Sequence, residues 1–485
     1  MTTIPGKAAD GLREVEVSAQ PLERFIPVLG EARVEEAGAA GARLRATMGR
    51  RSFWSVNSTA VGGGVAEMLR PLLAYARGAG IDAHWLVIHG DHEFFRITKR
   101  VHNTIHGERG DGSSLGKPER EHYERVLRHN ADALLARVKP GDVALLHDPQ
   151  TAGLCPALSE AGVHVVWRSH IGTEATNRET ERGWQLLVPY LRHASALVFS
   201  RAAYVPPALS AFPTMVIQPS IDPFSVKNQE LPAAVVRDIL ATTGLAGAPT
   251  GRTTATYQKT DGTMGEVRHA ADVMSLGGPP AFETPLVIQL SRWDTLKDPR
   301  GVMQGFADLV AEGGAVNAEL LLVGPNVRAV ADDPDGARVF HEVVVAWRRL
   351  PHDVRRRIHL ASIPVHDIDE NAAIVNALQR HATVVVQKSL QEGFGLTVTE
   401  PMWKARPVVA TRVGGIPDQI IDGESGLLLD DPADLVGFGR LLGRVLDDRA
   451  LAARLGTQAR ERVREHFLGL RHLVQYANLF ERLLR

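Results

Sequence analysis

At 485 residues the chain is too long for one ordinary hydrophobic core, which predicts two large domains. Its 55 Lys and Arg nearly cancel its 56 Asp and Glu, and the formal net charge of −1 argues against nucleic acid or a membrane surface as a partner. The lone cysteine, Cys155, fits a reducing compartment, and no signal-peptide core or bilayer-length apolar stretch is found, so we expect a soluble, cytoplasmic protein.

The first 220 residues divide into an N-terminal extension and a domain in which short apolar strands alternate with helices. Residues 1–50 form the extension, and the Ala/Glu/Arg-rich stretch at 31–48 predicts a helix within it. In the domain at 51–220, strands are predicted at 53–57, 83–88, 143–147, 163–168 and 196–200. A helix predicted at 65–77 follows the first strand. This rhythm is typical of a parallel sheet covered on both faces.

The loop between the first strand and its helix contains three consecutive glycines, Gly62, Gly63 and Gly64. Glycines at a helix start allow the backbone amides to approach an anion closely. The alternative interpretation is a tight strand–helix turn with no ligand.

The segment 89–103 is unusually polar and rich in histidine for a helix. Lys99 and Asn103 lie four residues apart on one face, with His92 near the helix start. No second ligand cluster accompanies the histidines, which argues against zinc. The segment is either a solvated helix or a wall that hydrogen-bonds a small sugar; we favour the sugar.

Two strands of the first domain end in polar residues, at the sheet edge where open α/β sheets bind ligands. His147, Asp148 and Gln150 follow one strand, and Asp148 either binds hydroxyl groups or caps the next helix. Arg168 and His170 end another strand. Taken alone, a histidine at the end of a strand can be either a structural residue or a ligand-binding residue.

A proline-containing polar segment at 218–224 predicts the hinge between the domains. The second domain at 221–465 repeats the alternation, with strands predicted at 286–290, 320–323, 358–361, 383–387 and 408–411. Residues 244–283 lack periodicity and are interpreted as an insertion. The tail from 451 predicts two helices, and residues 466–485 form the last one.

Arg292 and Lys297 directly follow the first strand of the second domain. A planar guanidinium and a compact ammonium can together neutralise a diphosphate, and they favour a transition state in which negative charge develops on it. Taken alone, the two cations fit an ordinary surface helix start better than a diphosphate site.

The segment 392–400 places two carboxylates, Glu392 and Glu400, across a strand-to-helix turn. The turn residues Gly393, Phe394, Gly395 and Leu396 leave backbone amides open to an anion at the helix start. Amides beside carboxylates suit a ligand with a phosphate end and a polyhydroxyl end, and sugar nucleotides are built in this way.

The carboxylate pair resembles the Glu-x7-Glu signature of the retaining glycosyltransferases of family four, and Arg292 with Lys297 is similar to their Arg-x4-Lys diphosphate motif. Over most of its length the chain looks most like the trehalose glycosyltransferring synthase branch. The resemblance implies an α/β fold of the GT-B type, with two Rossmann-like doubly wound domains facing across a cleft. It also implies that the last helix crosses back to the first domain.

The resemblance further implies roles for individual residues. Arg292 and Lys297 hold the donor diphosphate, Glu392 and His170 contact the donor glucose, and Glu400 binds the ribose. Donor contacts are also expected from Gly63, Gly64, Gly324, Val365, Gly393, Phe394, Gly395 and Leu396. Acceptor contacts are expected from Asn57, His92, Lys99, Asn103, Asp148 and Arg168.

The implied reaction joins NDP-glucose to glucose and gives α,α-trehalose with retention, without a cofactor or metal. Three alternatives stay open: a retaining trehalose phosphorylase, a transferase to another acceptor, and a non-catalytic sugar-nucleotide sensor. The sequence does not choose among adenine, uracil and guanine, and a homodimer is compatible with it.

Overall fold

The computed structural model describes residues 11–60, 64–247, 255–315, 317–327 and 334–485. The chain forms two compact units. The first unit ends at Ser220 and resumes at Phe467–Arg485, and the second is Ile221–His466. The passage from Ser220 to Ile221 lies inside the polar segment that the sequence analysis interprets as a hinge.

The first unit is built on a seven-stranded sheet with the order β1-β3-β2-β4-β5-β6-β7. Its strands are β1 (Arg13–Glu14), β2 (Phe53–Asn57), β3 (Ala83–Val87), β4 (Val143–His147), β5 (His164–Ser169), β6 (Ala196–Phe199) and β7 (Thr214–Val216). All neighbours are parallel except β1, which pairs antiparallel with β3. The order reverses between β2 and β4, so the loops after these strands diverge and leave a crevice at their carboxyl ends.

The helices of the first half cover this sheet. They are α1 (Ile26–Leu29), α2 (Glu31–Met48), α3 (Gly64–Gly78), α4 (His92–Ile105), α5 (Lys117–Leu135), α6 (Cys155–Glu160) and α7 (Arg178–Leu191). In α3 the stripe of Met68, Leu69 and Leu72 is buried, as its spacing predicts. Every residue of β4 is buried, because helices pack on both faces of a parallel sheet.

The second unit contains a second seven-stranded sheet with the order β10-β13-β12-β11-β14-β15-β16. Its strands, with the separate pair β8/β9, are β8 (Thr256–Gln258), β9 (Met264–Glu266), β10 (Asp272–Met274), β11 (Leu286–Leu290), β12 (Glu319–Pro325), β13 (Ile358–Ile363), β14 (Val384–Gln387), β15 (Val408–Thr411) and β16 (Leu427–Leu429). Only β10 is antiparallel to its neighbour in this sheet. Counted in chain order, its parallel strands follow the Rossmann order 3-2-1-4-5-6, with the reversal between β11 and β14.

The remaining helices are α8 (Ala233–Thr243), α9 (Pro299–Ala311), α10 (Pro334–Arg349), α11 (His352–Arg355), α12 (Ile368–His381), α13 (Leu396–Trp403), α14 (Ile416–Gln419), α15 (Leu435–Asp447), α16 (Arg449–His466) and α17 (Gly469–Leu484). The last of them, α17, belongs to the first unit and packs against α2 and α3. The ring of Phe480 on α17 lies 5.0 Å from that of Phe53 in β2.

The N-terminal extension and the segment 244–283 each contribute an edge strand. In the N-terminal segment, β1 pairs with β3, and α2 packs against α17. In the segment 244–283, β10 pairs with β13, and β8 and β9 form a small hairpin. Strands of two or three residues are too short to show alternation, which explains why the sequence pattern did not reveal them.

No helix in the described part of the chain is long and apolar enough to cross a membrane. The two sheets confirm the predicted α/β class with two Rossmann-like domains.

Gly456 allows α16 to pack closely against the end of α13. A Cβ atom at Gly456 would lie 2.2 Å from the backbone oxygen of Ala405, which cannot move aside as a flexible side chain would. We expect Gly456→Ala to destabilise the protein by about 1–3 kcal/mol, because the overlap outweighs the gain in helix propensity. Gly38→Ala in α2 is the matched control, since its Cβ meets nothing within 4 Å. Thermal unfolding should show a lower melting temperature for Gly456→Ala and an unchanged or higher one for Gly38→Ala; equal stabilities would contradict the packing argument.

Candidate active site

The crevice of the first sheet holds a pocket of about 180 Å³ between the loops that follow β2 and β4. It is lined by Asn57, Ser58, Thr59, Gly64, Val65, His147, Asp148 and Gln150. Three of the residues predicted to bind ligands, Asn57, Gly64 and Asp148, are therefore brought together. Gly63 lies outside the described residues.

Asn57 shapes this pocket with its side-chain amide. The amide nitrogen donates to the backbone oxygen of Thr59 at 2.6 Å, and the amide oxygen accepts from the indole of Trp85 at 2.8 Å. Both ends of the buried amide are engaged, so Asn57 fixes the loop that forms one side of the pocket.

Asp148 lies at the other side of the pocket in a left-handed backbone conformation, with φ of 63°. Its carboxylate accepts a hydrogen bond from the backbone nitrogen of His170 at 2.7 Å. The helix-cap alternative is therefore wrong: Thr151, not Asp148, precedes the next helical turn. Burial raises the pKa of Asp148 to about 7, although the bond from His170 and the charge of Arg168 oppose the shift.

A chain of hydrogen bonds runs from β2 through the pocket to His170. The hydroxyl of Ser55 lies 3.0 Å from Nε2 of His147, and Nδ1 of His147 lies 3.0 Å from Nε2 of His170. Burial, reinforced by the charge of Arg168, holds the pKa of both histidines well below the usual range. Both rings are thus neutral at neutral pH, and one must donate to the other.

Arg168 does not contact the pocket, and the prediction that it binds the acceptor is wrong. Its guanidinium is fully buried on the side of β5 covered by α17. It donates to Nε2 of His472 at 2.8 Å, to the hydroxyl of Tyr476 and to the backbone oxygen of Ile217 at 3.1 Å. The sequence could not reveal this, because the partners on α17 lie about 300 residues away in the chain.

The predicted residues of α4 lie apart from this pocket lining. His92 and Lys99 are exposed and Asn103 is half-buried, while Phe94 and Ile97 face the core. Asp91 caps the helix by accepting from the backbone nitrogen of Phe94 at 2.7 Å. The structure contains the predicted helix, whereas its role in binding an acceptor stays a prediction.

In the second unit, the crevice of the sheet brings Lys297 and Glu392 together. Lys297 follows β11 and Glu392 follows β14, and their side chains form an ion pair. Their exposed fractions are 15% and 10%. The hydroxyl of Ser389 donates to the same carboxylate at 3.4 Å. A cation and a carboxylate, 95 residues apart in sequence, are thus adjacent at the predicted donor site.

Arg292 lies on the same loop as Lys297, but its side chain is 61% exposed and donates to Asp294 at 3.2 Å. The neighbouring Trp293 is buried against Gly324, where a Cβ atom would come within 2.4 Å of the indole. Close packing with Trp293 therefore accounts for the glycine at 324.

The turn after Glu392 requires glycine at position 395. Gly395 has φ of 87°, and a Cβ atom there would lie 3.0 Å from Cγ of Glu392. Phe394 is buried, and α13 begins at Leu396. The backbone oxygen of Gly393 accepts from Gly415 at 3.0 Å. Val365, predicted to contact the base, is half-buried just after β13.

Glu400 lies on α13 and is nearly buried, with an exposed fraction of 5%. Its carboxylate lies 3.5 Å from Nζ of Lys227 and accepts from Gln379 at 3.3 Å. Lys404 lies one turn further along and donates to Gln379 at 2.7 Å. Desolvation lowers the pKa of Lys404 well below its usual range, and the Glu400 charge partly opposes this.

Sequence reasoning missed several polar side chains that complete these sites. Ser55, Asp298 and Lys388 each pair with a residue distant in the chain. One signal was available for Lys388: a lysine that directly follows an apolar strand is buried only when it is paired with an opposite charge, so its position indicates an ion pair. The identity of its partner, 90 residues away, has no sequence signature.

Comparison with known proteins agrees with this geometry. Residues 55–206 match the family described as trehalose synthase, N-terminal domain, and residues 281–462 match glycosyl transferases group 1. A trehalose synthase of Pyrococcus horikoshii is 32% identical, covering 97% of this chain and 99% of its own. A trehalose phosphorylase of Grifola frondosa is 26% identical, covering 84% of this chain and 54% of its own.

The fold is shared with solved structures. One described as trehalose-6-phosphate from E. coli bound with UDP-2-fluoro glucose has a TM-score of 0.65 at 14% identity, covering 89% of this chain and 99% of that one. At this identity the likeness shows the fold alone. The match to the trehalose synthase of Pyrococcus horikoshii, in contrast, covers nearly the full length of both sequences. The chain therefore belongs to the trehalose synthase family, and it is a trehalose-related glycosyltransferase of GT-B fold.

Proposed function

We propose that this enzyme joins NDP-α-glucose to free glucose and releases α,α-trehalose and NDP, with retention at the anomeric carbon. The observation that carries the proposal is the Lys297–Glu392 ion pair at the crevice of the second sheet. It offers one cation for a diphosphate and one carboxylate for sugar hydroxyl groups, side by side, as a nucleotide sugar requires.

The donor enters by an exchange of partners. Its diphosphate replaces Glu392 beside Lys297, and the released carboxylate accepts hydrogen bonds from the donor glucose. Arg292, which is exposed on the same loop, adds a second cation. As the glycosidic bond breaks, charge grows on the departing diphosphate, so both cations stabilise the transition state more than the bound donor. Glu400 binds the ribose.

The acceptor binds in the pocket of the first unit. None of the residues that line it, all in the described part of the chain, is a lysine or an arginine. Its one acidic group, Asp148, would repel a phosphate once ionised. The lining therefore favours an uncharged sugar such as glucose over a sugar phosphate. His170, a neutral imidazole, hydrogen-bonds the donor glucose.

The acceptor hydroxyl attacks the face of the anomeric carbon from which the diphosphate departs. The departing phosphate oxygen takes the proton of the hydroxyl, so configuration is retained without a covalent glycosyl-enzyme. The two side-chain cations supply the charge stabilisation that a metal would otherwise provide, and we propose that the reaction needs no metal.

The similarity to a trehalose phosphorylase supports one alternative. In that reaction glucose 1-phosphate replaces the nucleotide sugar, and the leaving group is inorganic phosphate. Glu400 then has no ribose to bind.

A product assay separates the two functions. We expect trehalose from glucose together with at least one of ADP-, UDP- or GDP-glucose, and none from glucose with glucose 1-phosphate. Trehalose is measured by chromatography after removal of the unreacted nucleotide. Product only from glucose 1-phosphate, with release of phosphate, would establish the phosphorylase instead.

Removal of either diphosphate cation should slow the reaction. We expect Lys297→Ala and Arg292→Ala to lower kcat by about a hundredfold, comparable to the loss of one donor to a developing anion. Arg440→Ala, which removes an exposed arginine from α15, is the control and should keep full activity. Steady-state rates near wild type for both Lys297→Ala and Arg292→Ala would exclude the diphosphate role.

The ribose role of Glu400 predicts a different kinetic effect. We expect Glu400→Gln to raise the KM for the nucleotide sugar and to leave kcat nearly unchanged, because the ribose is bound equally in the ground and transition states. Gln keeps the shape of the buried side chain. Initial rates at varied donor concentration measure both constants, and a fall in kcat alone would contradict the assignment.

A further inference from the structure

Two ion pairs connect the loop after β11 with the loop after β14. Lys297 of the first loop pairs with Glu392 of the second, and Lys388 of the second pairs with Asp298 of the first. We call Lys297–Glu392 the outer pair and Lys388–Asp298 the inner pair. Each loop thus supplies one lysine and one carboxylate. A backbone bond from Leu390 to Leu296, at 2.8 Å, also joins the loops.

The two lysines differ in their access to a ligand. The side chain of Lys388 is 1% exposed, whereas that of Lys297 is 15% exposed. A buried ammonium is stable only with a charge partner close by, so Lys388 must keep Asp298. Lys297 can accept a phosphate in place of Glu392, because both members of the outer pair are partly open.

Asp298 is fixed by its backbone as well as by its charge. It adopts a left-handed conformation, with φ of 49°, and caps α9 by accepting from the backbone nitrogen of Gly301 at 2.9 Å. It also directly follows Lys297 in sequence. The backbone oxygen of Lys297 accepts from the side chain of Gln289 in β11 at 2.6 Å. The position of the Lys297 backbone is therefore set on both sides.

We propose that the inner pair is a permanent clamp that keeps the two loops in register while the outer pair opens to bind the nucleotide sugar. This inference rests on the proposed function, in which the donor diphosphate takes Lys297 from Glu392. When the outer pair separates, one of the two ionic connections between the loops is lost. The inner pair then holds Lys297 and Glu392 at the spacing that the donor needs. Lys388 and Asp298 are positioning residues, since Lys388 is too deeply buried to touch the donor.

The test removes the inner pair without leaving a buried charge. In Lys388→Met/Asp298→Asn both partners become neutral, Met matches the length of the lysine stem, and Asn keeps the helix cap and tolerates the left-handed backbone. The control is Arg464→Gln/Glu461→Gln, which removes an exposed ion pair of 2.6 Å on α16. Melting temperatures and the binding of ADP, UDP and GDP by calorimetry are measured for both, together with Lys297→Met.

We expect the double variant to melt close to wild type and to bind the preferred nucleoside diphosphate about tenfold more weakly, because the spacing between the two loops is no longer fixed. The control should match wild type in both measurements. A purely structural pair would change stability and leave the affinity alone. If the double variant does not fold, Lys388→Met alone is measured, because Asp298 is 19% exposed and still caps α9, and weaker nucleotide binding is again expected.

Two negative results are distinct. Weak binding by Lys297→Met with normal binding by the double variant overturns the clamp and leaves the proposed function intact. Normal binding by both variants removes the diphosphate role of Lys297, and the clamp is overturned with it.

Discussion

The donor site depends on a reversal of strand order that places two loops side by side. Between β11 and β14 the second sheet changes direction, and the loops that follow these strands meet at its carboxyl edge. Lys297 and Glu392 come from these two loops and form an ion pair. Because each charge already has a partner, a ligand must offer both an anion and hydroxyl groups to replace that partner. In the proposed function, the ion pair thus favours a nucleotide sugar over a simple phosphate.

The same reversal in the first sheet produces a pocket whose described lining contains no lysine or arginine. The reversal between β2 and β4 brings Asn57, His147 and Asp148 to one pocket. Burial keeps the pKa of His147 low and raises that of Asp148 to about 7, so near neutral pH His147 is uncharged and Asp148 is only partly ionised. One topology therefore produces an ion pair at the crevice of the second sheet and a pocket without lysine or arginine in its described lining at that of the first.

Sequence reasoning succeeded where one strand carries its own signal. The strands at 53–57, 143–147, 286–290 and 408–411 coincide with β2, β4, β11 and β15, because continuous apolar runs mark strands buried on both faces. The three-residue strands β7, β10 and β16 were missed because they are too short for a pattern. The two motifs that contain Lys297 and Glu392 predicted the family correctly. Pairings such as Lys388–Asp298 were not predictable, since spatial proximity between distant loops leaves no local trace.

Arg168 shows how such a distant pairing can affect the pKa of histidines at the pocket of the first unit. A buried guanidinium should have a carboxylate partner, yet its described hydrogen bonds reach a histidine, a tyrosine and a backbone oxygen. Its charge is therefore left to act on its surroundings, where it helps to lower the pKa of His147, His170 and His472. A neutral imidazole has one donor and one acceptor nitrogen, and Nε2 of His170 faces His147. The last helix of the chain, by holding Arg168 in place, thus adds to the effect of burial in keeping His170 neutral.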